Sequence, residues 1–281
     1  MTAITTSRTR PGAGQAPRPQ ASLAGTLRSE LTKLRSVRST YWTLIVLMAA
    51  GIGFSIANCA GTANHLKGAP PQARIGLDAT QTSILGMILL GQLIIVVIGA
   101  LTITSEYSTG MIRTSLTVMP RRGALYGAKA AVFAAVALAV SLVATFAAFF
   151  IGQALLASIH ESATLGQPNV LPALFITALF VVLCGLFAFG LGAILRHTAG
   201  AMTTAYGLLF LLPQLAKALP NSWYADVVRW LPGGDALNVL TSTMDLHRPH
   251  LFSPWGELAV FAGYTVILLA AGALLFRKRD A

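Results

Sequence analysis

An all-α protein that crosses a membrane six times is the architecture implied by three features of this 281-residue chain. Only 10% of its residues are charged and its mean hydropathy is +0.69, against roughly a quarter charged in a soluble globular domain. Six stretches are apolar enough, over the roughly 20 residues that a helix needs, to cross about 30 Å of hydrocarbon. None shows the alternation of a barrel strand, so their backbone groups must be satisfied within helices.

The spans are predicted at 42–59, 84–104, 130–151, 171–195, 199–215 and 258–276. Ahead of them stands MTAITTSRTRPGAGQAPRPQASLAGT, residues 1–26, rich in Arg, Ser, Thr, Pro and Gly and without an acid. A transit peptide shares that composition, but we read a disordered cytoplasmic tail. The first span lies too far from the start, and lacks a small-residue cleavage site, to be a removed signal peptide. The chain thus divides into a tail, 1–26, and a membrane domain, 27–281.

The membrane domain opens with LRSELTKLRSVRSTYW, where Leu27, Leu31 and Leu34 recur at helical spacing while Arg28, Lys33, Arg35 and Arg38 fall off that stripe. The pattern fits a helix lying in the headgroup plane, and periodicity alone fits a generic basic flank equally well. Tyr41 and Trp42 then mark the interface at which the chain enters the bilayer.

Orientation follows from the basic residues. The segments before span 1, between spans 2 and 3, between spans 4 and 5, and after span 6 hold 15 of the 20 Lys and Arg, and the alternate set holds 5. By the positive-inside rule both termini, and the connection between spans 2 and 3, are cytoplasmic, in a cell membrane. The formal charge of +11 is accounted for by these short segments and by anionic lipid, not by nucleic acid, which would require a basic face on a soluble module.

The connection between spans 2 and 3, TSEYSTGMIRTSLTVMPRRG, is a polar interruption of an apolar chain. Met111, Ile112, Leu116 and Met119 fall on one helical face, flanked by Arg113, Thr114, Ser115 and Thr117. Pro120 should end that helix. Arg121 and Arg122 suit both its negative end and an anionic surface. A short amphipathic helix results, its apolar face suited to lipid or to a partner protein. Glu106 is the only acid in the loop, and by itself it reads as readily as a solvated group compatible with a helix dipole as a functional one.

The longest connection, 216–257, contains NSWYADVVRWLPGGDALNVL. Trp223, Val227, Trp230 and Leu231 share a face, followed by a break at Pro232, Gly233 and Gly234 and a second short helix. The pattern fits a partly inserted lid and an ordinary amphipathic loop alike. Further on, Asp245, His247 and His250 are ligand types without a fourth member, so no metal site is expected. Cys59 and Cys184 lie in or beside apolar runs and are read as small buried residues.

The predicted spans hold no Asp, Glu, Lys, Arg or His. That removes the usual material of ion-coupled carriers and of intramembrane hydrolysis. No catalytic residue and no cofactor is expected. No G-x-x-x-x-G-K-[ST] occurs either, so energy for uphill transport would come from another polypeptide.

The pattern Glu106, Gly110, Leu116, Pro120, Arg122 and Lys129 resembles the cytoplasmic loop of ATP-binding-cassette (ABC) transporter permeases of the type-2 exporter family. LRSELTKLRSVRSTYW is similar to the N-terminal segment of actinobacterial members, and the likeness runs from about Leu23 to the C-terminus. The resemblance implies two six-span halves, an identical second chain being expected, each carried by a separate ATPase subunit that binds the ATP. It implies an elbow helix at Leu27 to Val37, including Leu31, Lys33, Leu34 and Arg35. It also implies a coupling helix that touches the ATPase, from Glu106 and Tyr107 through Gly110, Met111, Ile112, Arg113, Leu116 and Pro120 to Arg121 and Arg122. Short extracytoplasmic helices would fall at Trp223 to Met244.

Many members carry Thr where this chain has Met111, and Ser-Arg where it has Arg121 and Arg122, which implies a docking face specific to its own ATPase. The short outer loops argue against roles like those of the macrolide- or lipoprotein-handling members. Between the halves, Gln92, Ser141, Thr145, Thr177 and Tyr206 are the polar groups expected along a path for an amphipathic or hydrophobic substrate, a drug, natural product or lipid, although helix packing uses the same residue types. The competing reading is a non-transporting membrane anchor or sensor whose loop recruits a soluble partner.

Overall fold

A computed structural model of the chain describes residues 23–36, 38–108, 122–233 and 252–278. Eight helices lie among them: α1 (Leu23–Ser36), α2 (Arg38–Leu66), α3 (Ala79–Ser108), α4 (Arg122–Leu156), α5 (Val170–Leu195), α6 (Thr198–Ala216), α7 (Asn221–Val228) and α8 (Pro254–Lys278). Six of these, α2 to α6 and α8, are long and apolar enough to cross a membrane, and each contains the stretch predicted for it. There is no strand among the described residues. The helix α1 begins at Leu23, inside the segment read as tail. Residues 1–22 lie outside the described residues.

The centre of the bundle is α5, whose faces pack on α3, α4, α6 and α8. Its crossing with α3 is backbone against backbone: a Cβ built on Gly99 would overlap the carbonyl oxygen of Gly185 and lie 2.8 Å from its carbonyl carbon. Small residues permit such approach, which is how helices associate where lipid offers no hydrophobic drive. On α2 the buried face repeats every four residues, through Leu47, Gly51, Ser55, Cys59 and Ala63. Gly51 and Ser55 receive Gly86 of α3, whose added Cβ would strike Gly51 O and Ser55 Oγ.

That second crossing also shapes α3. Ser55 Oγ accepts from Gly86 N at 3.0 Å, while Asn58 Nδ2 donates to Thr82 O at 3.0 Å. Side chains of α2 therefore engage both ends of the helical bond expected between Thr82 and Gly86, and α3 passes into a π-helical turn, Met87–Gly91, immediately beyond. A second π-helical turn, Gly207–Leu211, lies in α6 just before Pro213, which has no N–H to offer the ladder. The two are joined across the bundle by Tyr206 Oη, which donates to Leu93 O at 2.6 Å.

At one end the connections are held by polar side chains. Arg74 Nη1 donates to Ile159 O at 2.8 Å, with Nη2 near Leu66 O and Ala69 O, gathering carbonyls left at the ends of α2 and α4. Asp78 caps α3 by accepting from Gln81 N. Gln153 donates to Ala79 O and Ser83 Oγ and accepts from Ala163 N.

The connection after α6 folds back at this same end. Leu231–Gly233 form a turn, and a Cβ on Gly233 would sit 3.5 Å from Phe180 Cζ and 3.7 Å from Leu209 Cδ2. Phe180 is ten residues into α5, and Leu209 seven residues from the end of α6. At 1.5 Å per residue the turn lies about 10–15 Å below the helix ends. Tyr264, ten residues into α8, donates to Trp230 O at 2.9 Å. Trp223 and Trp230 remain exposed. The second short helix expected after Gly234, and the Asp245, His247 and His250 group, lie outside the described residues.

Candidate functional site

At the opposite, basic end of the bundle, α3 stops at Ser108 and α4 resumes at Arg122. Gly110, Met111, Ile112, Arg113, Leu116, Pro120 and Arg121 fall between, outside the described residues, and of Arg122 only the backbone is described. What is described is the frame that carries them. One turn of α3, from Ile103 to Tyr107, touches a different neighbour with nearly every side chain.

Glu106 lies inward. Its Oε1 accepts from Lys129 Nζ at 2.7 Å, and the same ammonium donates to Glu30 Oε2 at 2.6 Å. All three are buried, at 8%, 6% and 2% exposure. Two carboxylates sharing one ammonium is a costly arrangement to desolvate, and removing one member of a buried ionic group strands the others. Lys129 stands in α4 two turns after its start, and Glu30 stands in α1. In the sequence each stands out only singly: Glu30 is the only acid in α1, and Lys129 the last charge before the third apolar run.

Thr104 and Tyr107 face the other way. Thr198 Oγ1, at the start of α6, donates to Thr104 Oγ1 at 2.8 Å, which in turn donates to Ala100 O. Arg196 caps α5 in a left-handed conformation, φ 56°, with its N–H on Gly192 O, and places its guanidinium 4.9 Å from the Tyr107 ring centroid. Tyr107 also meets Phe276 of α8 edge-on, and Phe276 and Phe189 flank Tyr126 of α4. A Cβ on Gly192 would lie 2.6 Å from Ile103 Cγ2, so α3 and α5 are in close contact here too.

This single turn is thus fastened to α4, α5, α6 and α8, and through Lys129 to α1. Of the residues expected in an elbow helix, Leu27 is exposed and Leu31 half-buried, while the side chains of Lys33, Leu34 and Arg35 lie outside the described residues. The polar groups expected along a path are placed elsewhere: Gln92, Ser141, Thr145 and Thr177 are buried between helices of the one chain, and Tyr206 is engaged with Leu93. The first four pack the bundle, while Tyr206 is half-buried. Among the described residues no cluster of His, Cys, Asp and Glu is arranged to hold a metal.

Fold and site together define a multi-pass α-helical membrane protein in which the last turn of the second span, just before the polar connection to the third, is fastened to the rest of the bundle. The chain belongs to the ABC-2 family of transporter proteins, whose family model matches residues 33–281. Membership supports a membrane permease subunit of an ABC transporter, a component that is generally non-enzymatic, and implies an ABC ATPase subunit as partner. No curated protein matches it.

Proposed function

We propose that two copies of this chain form the membrane half of an exporter in the plasma membrane. A separate ATPase, which binds the ATP, docks on the 109–121 segment and drives outward movement of an amphipathic or hydrophobic molecule. Both termini and α1 lie on the cytoplasmic side, with α1 as the elbow in the headgroup plane, and Met111, Ile112 and Leu116 form the docking face with Arg113, Arg121 and Arg122 around it.

The observation that carries this reading is the fastening of Ile103 to Tyr107, immediately before that segment, to nearly every span at once. A loop that merely recruits a soluble protein has no need of such a frame. A loop that must tilt the bundle does. Support also comes from the absence of ionisable residues in the predicted spans and of a phosphate-binding loop in the chain.

The test is reconstitution of the chain with its co-purifying ATPase into vesicles and measurement of ATP-dependent movement of lipophilic dyes and labelled lipids. Flux that needs ATP on the docking side and disappears with Leu116→Arg supports the reading. A bound partner without flux of any probe supports the anchor reading instead.

A further inference from the structure

Lys129 bridges three elements that are separated in sequence. Its ammonium reaches Glu106 at 2.7 Å, just before the connecting segment, and Glu30 at 2.6 Å in α1, while its own backbone lies in α4, just after that segment. Among the described side chains of α1, Glu30 is the only one fully buried. Arg28, Ser29 and Thr32 are exposed, and Leu27 is 40% exposed. The most deeply buried of the described α1 side chains thus meets the bundle through a charge, with Leu31 half-buried beside it.

A greasy contact between helices tolerates sliding, whereas an ion pair of fixed geometry in a low-dielectric setting does not. Without the ammonium, Glu30 and Glu106 would lose the buried cation that they share. An ionic group in this place adds little net stability over an apolar one, so its use is better explained by registry than by strength.

We infer that Lys129 is a positioning residue whose ammonium makes α1 and both ends of the 108–122 connection move as one body, so that displacement of the connection carries α1 with it. This rests on the coupling role proposed above for the connection, and its test separates the two.

Cysteines for spin labels replace Thr32 on α1 and Gly127 on α4, both exposed and the latter with no atom near its added Cβ. The buried Cys59 and Cys184 are changed to alanine, and the full chain is placed in lipid nanodiscs. The wild-type lysine gives one narrow distance distribution. Lys129→Met at least doubles its width and lowers transport per ATP hydrolysed at least fivefold in the complex, while Lys129→Arg, which keeps the cation, restores most of both. A Lys129→Met distribution as narrow as the wild type's, or unchanged transport per ATP, overturns the inference. Glu30→Gln, which leaves the Lys129 to Glu106 pair in place, is read the same way if Lys129→Met does not fold. Should the wild-type chain show no ATP-linked transport, the coupling proposal falls, and the distance measurement still decides whether Lys129 ties α1 to the bundle.

Discussion

The contact between Gly99 and Gly185 is where a single methyl group should do most harm. An alanine Cβ at Gly99 would overlap Gly185 O and stand 2.8 and 3.0 Å from Gly185 C and Cα, and all three are backbone atoms that no rotamer change can move aside. Contacts of that kind relax only at about 3.5 Å or beyond, and the oxygen lies closer than either carbon, so α3 and α5 must part by roughly 1–1.5 Å. Over such a gap each atom pair forfeits about half or more of a well of ~0.1–0.2 kcal/mol. Across about 40 pairs at the crossing the loss is about 2–4 kcal/mol, the range for overpacked cores or slightly above it. The better helix propensity of alanine returns at most ~1 kcal/mol of this.

Thermal unfolding followed by fluorescence-detected size exclusion in mild detergent should show Gly99→Ala melting about 5 °C lower than wild type. Gly263→Ala, at a helical glycine with no atom within 4 Å, should melt at or slightly above it. Equal melting of Gly99→Ala and wild type, or an equal loss in both variants, would refute the close crossing and with it the placement of α5 at the centre.

Glu106→Arg sets a second cation against the buried ammonium of Lys129 and should cost about 3–5 kcal/mol, seen as a sharp fall in monodisperse protein; Glu106→Gln, which leaves Lys129 paired with Glu30, should lose much less. Yields of Glu106→Arg equal to wild type would mean that the carboxylate is solvent-facing. Tyr206→Phe removes one bond between α6 and the backbone of α3 and should lower stability by about 0.5–1.5 kcal/mol, measured in the same melting assay; no change would show that Leu93 O finds another donor. Cys59 and Cys184 are fully buried, so a maleimide should label neither in the native detergent complex and both after denaturation in SDS, and prompt native labelling would contradict the packing around them.

The spans were legible because lipid allows few solutions: an apolar run of sufficient length without alternation is a helix, and all six predicted stretches are helical. Their ends were less so. Helix α4 begins at Arg122 and α3 at Ala79, beyond the apolar runs, since hydropathy marks the hydrocarbon and not the helix that continues past it. Lys129 was visible as part of a loop pattern, but its burial between Glu30 and Glu106 was not, because three charges 23 and 99 residues apart carry no local sign of meeting.

The same limit explains Gln92, Ser141, Thr145 and Thr177. Small and hydroxyl residues suit a path and a helix crossing equally, and only the packing distinguishes them: Thr177 bonds to Ala173 O within its own helix and all four are buried. The turn at Leu231–Gly233 had a readable cause, the Pro232, Gly233, Gly234 break, while its packing depended on Phe180 and Leu209, which sequence spacing does not bring together.

The central claim, that the chain works as the membrane subunit of an ATP-driven transporter, is tested most directly by purifying the tagged full-length protein from its native membranes in gentle detergent and identifying what accompanies it. The account predicts an ATPase bearing a phosphate-binding loop, in about equal amount, whose retention is lost with Leu116→Arg. Recovery of the chain without any ATPase, under conditions that keep a known ABC complex intact, would contradict it.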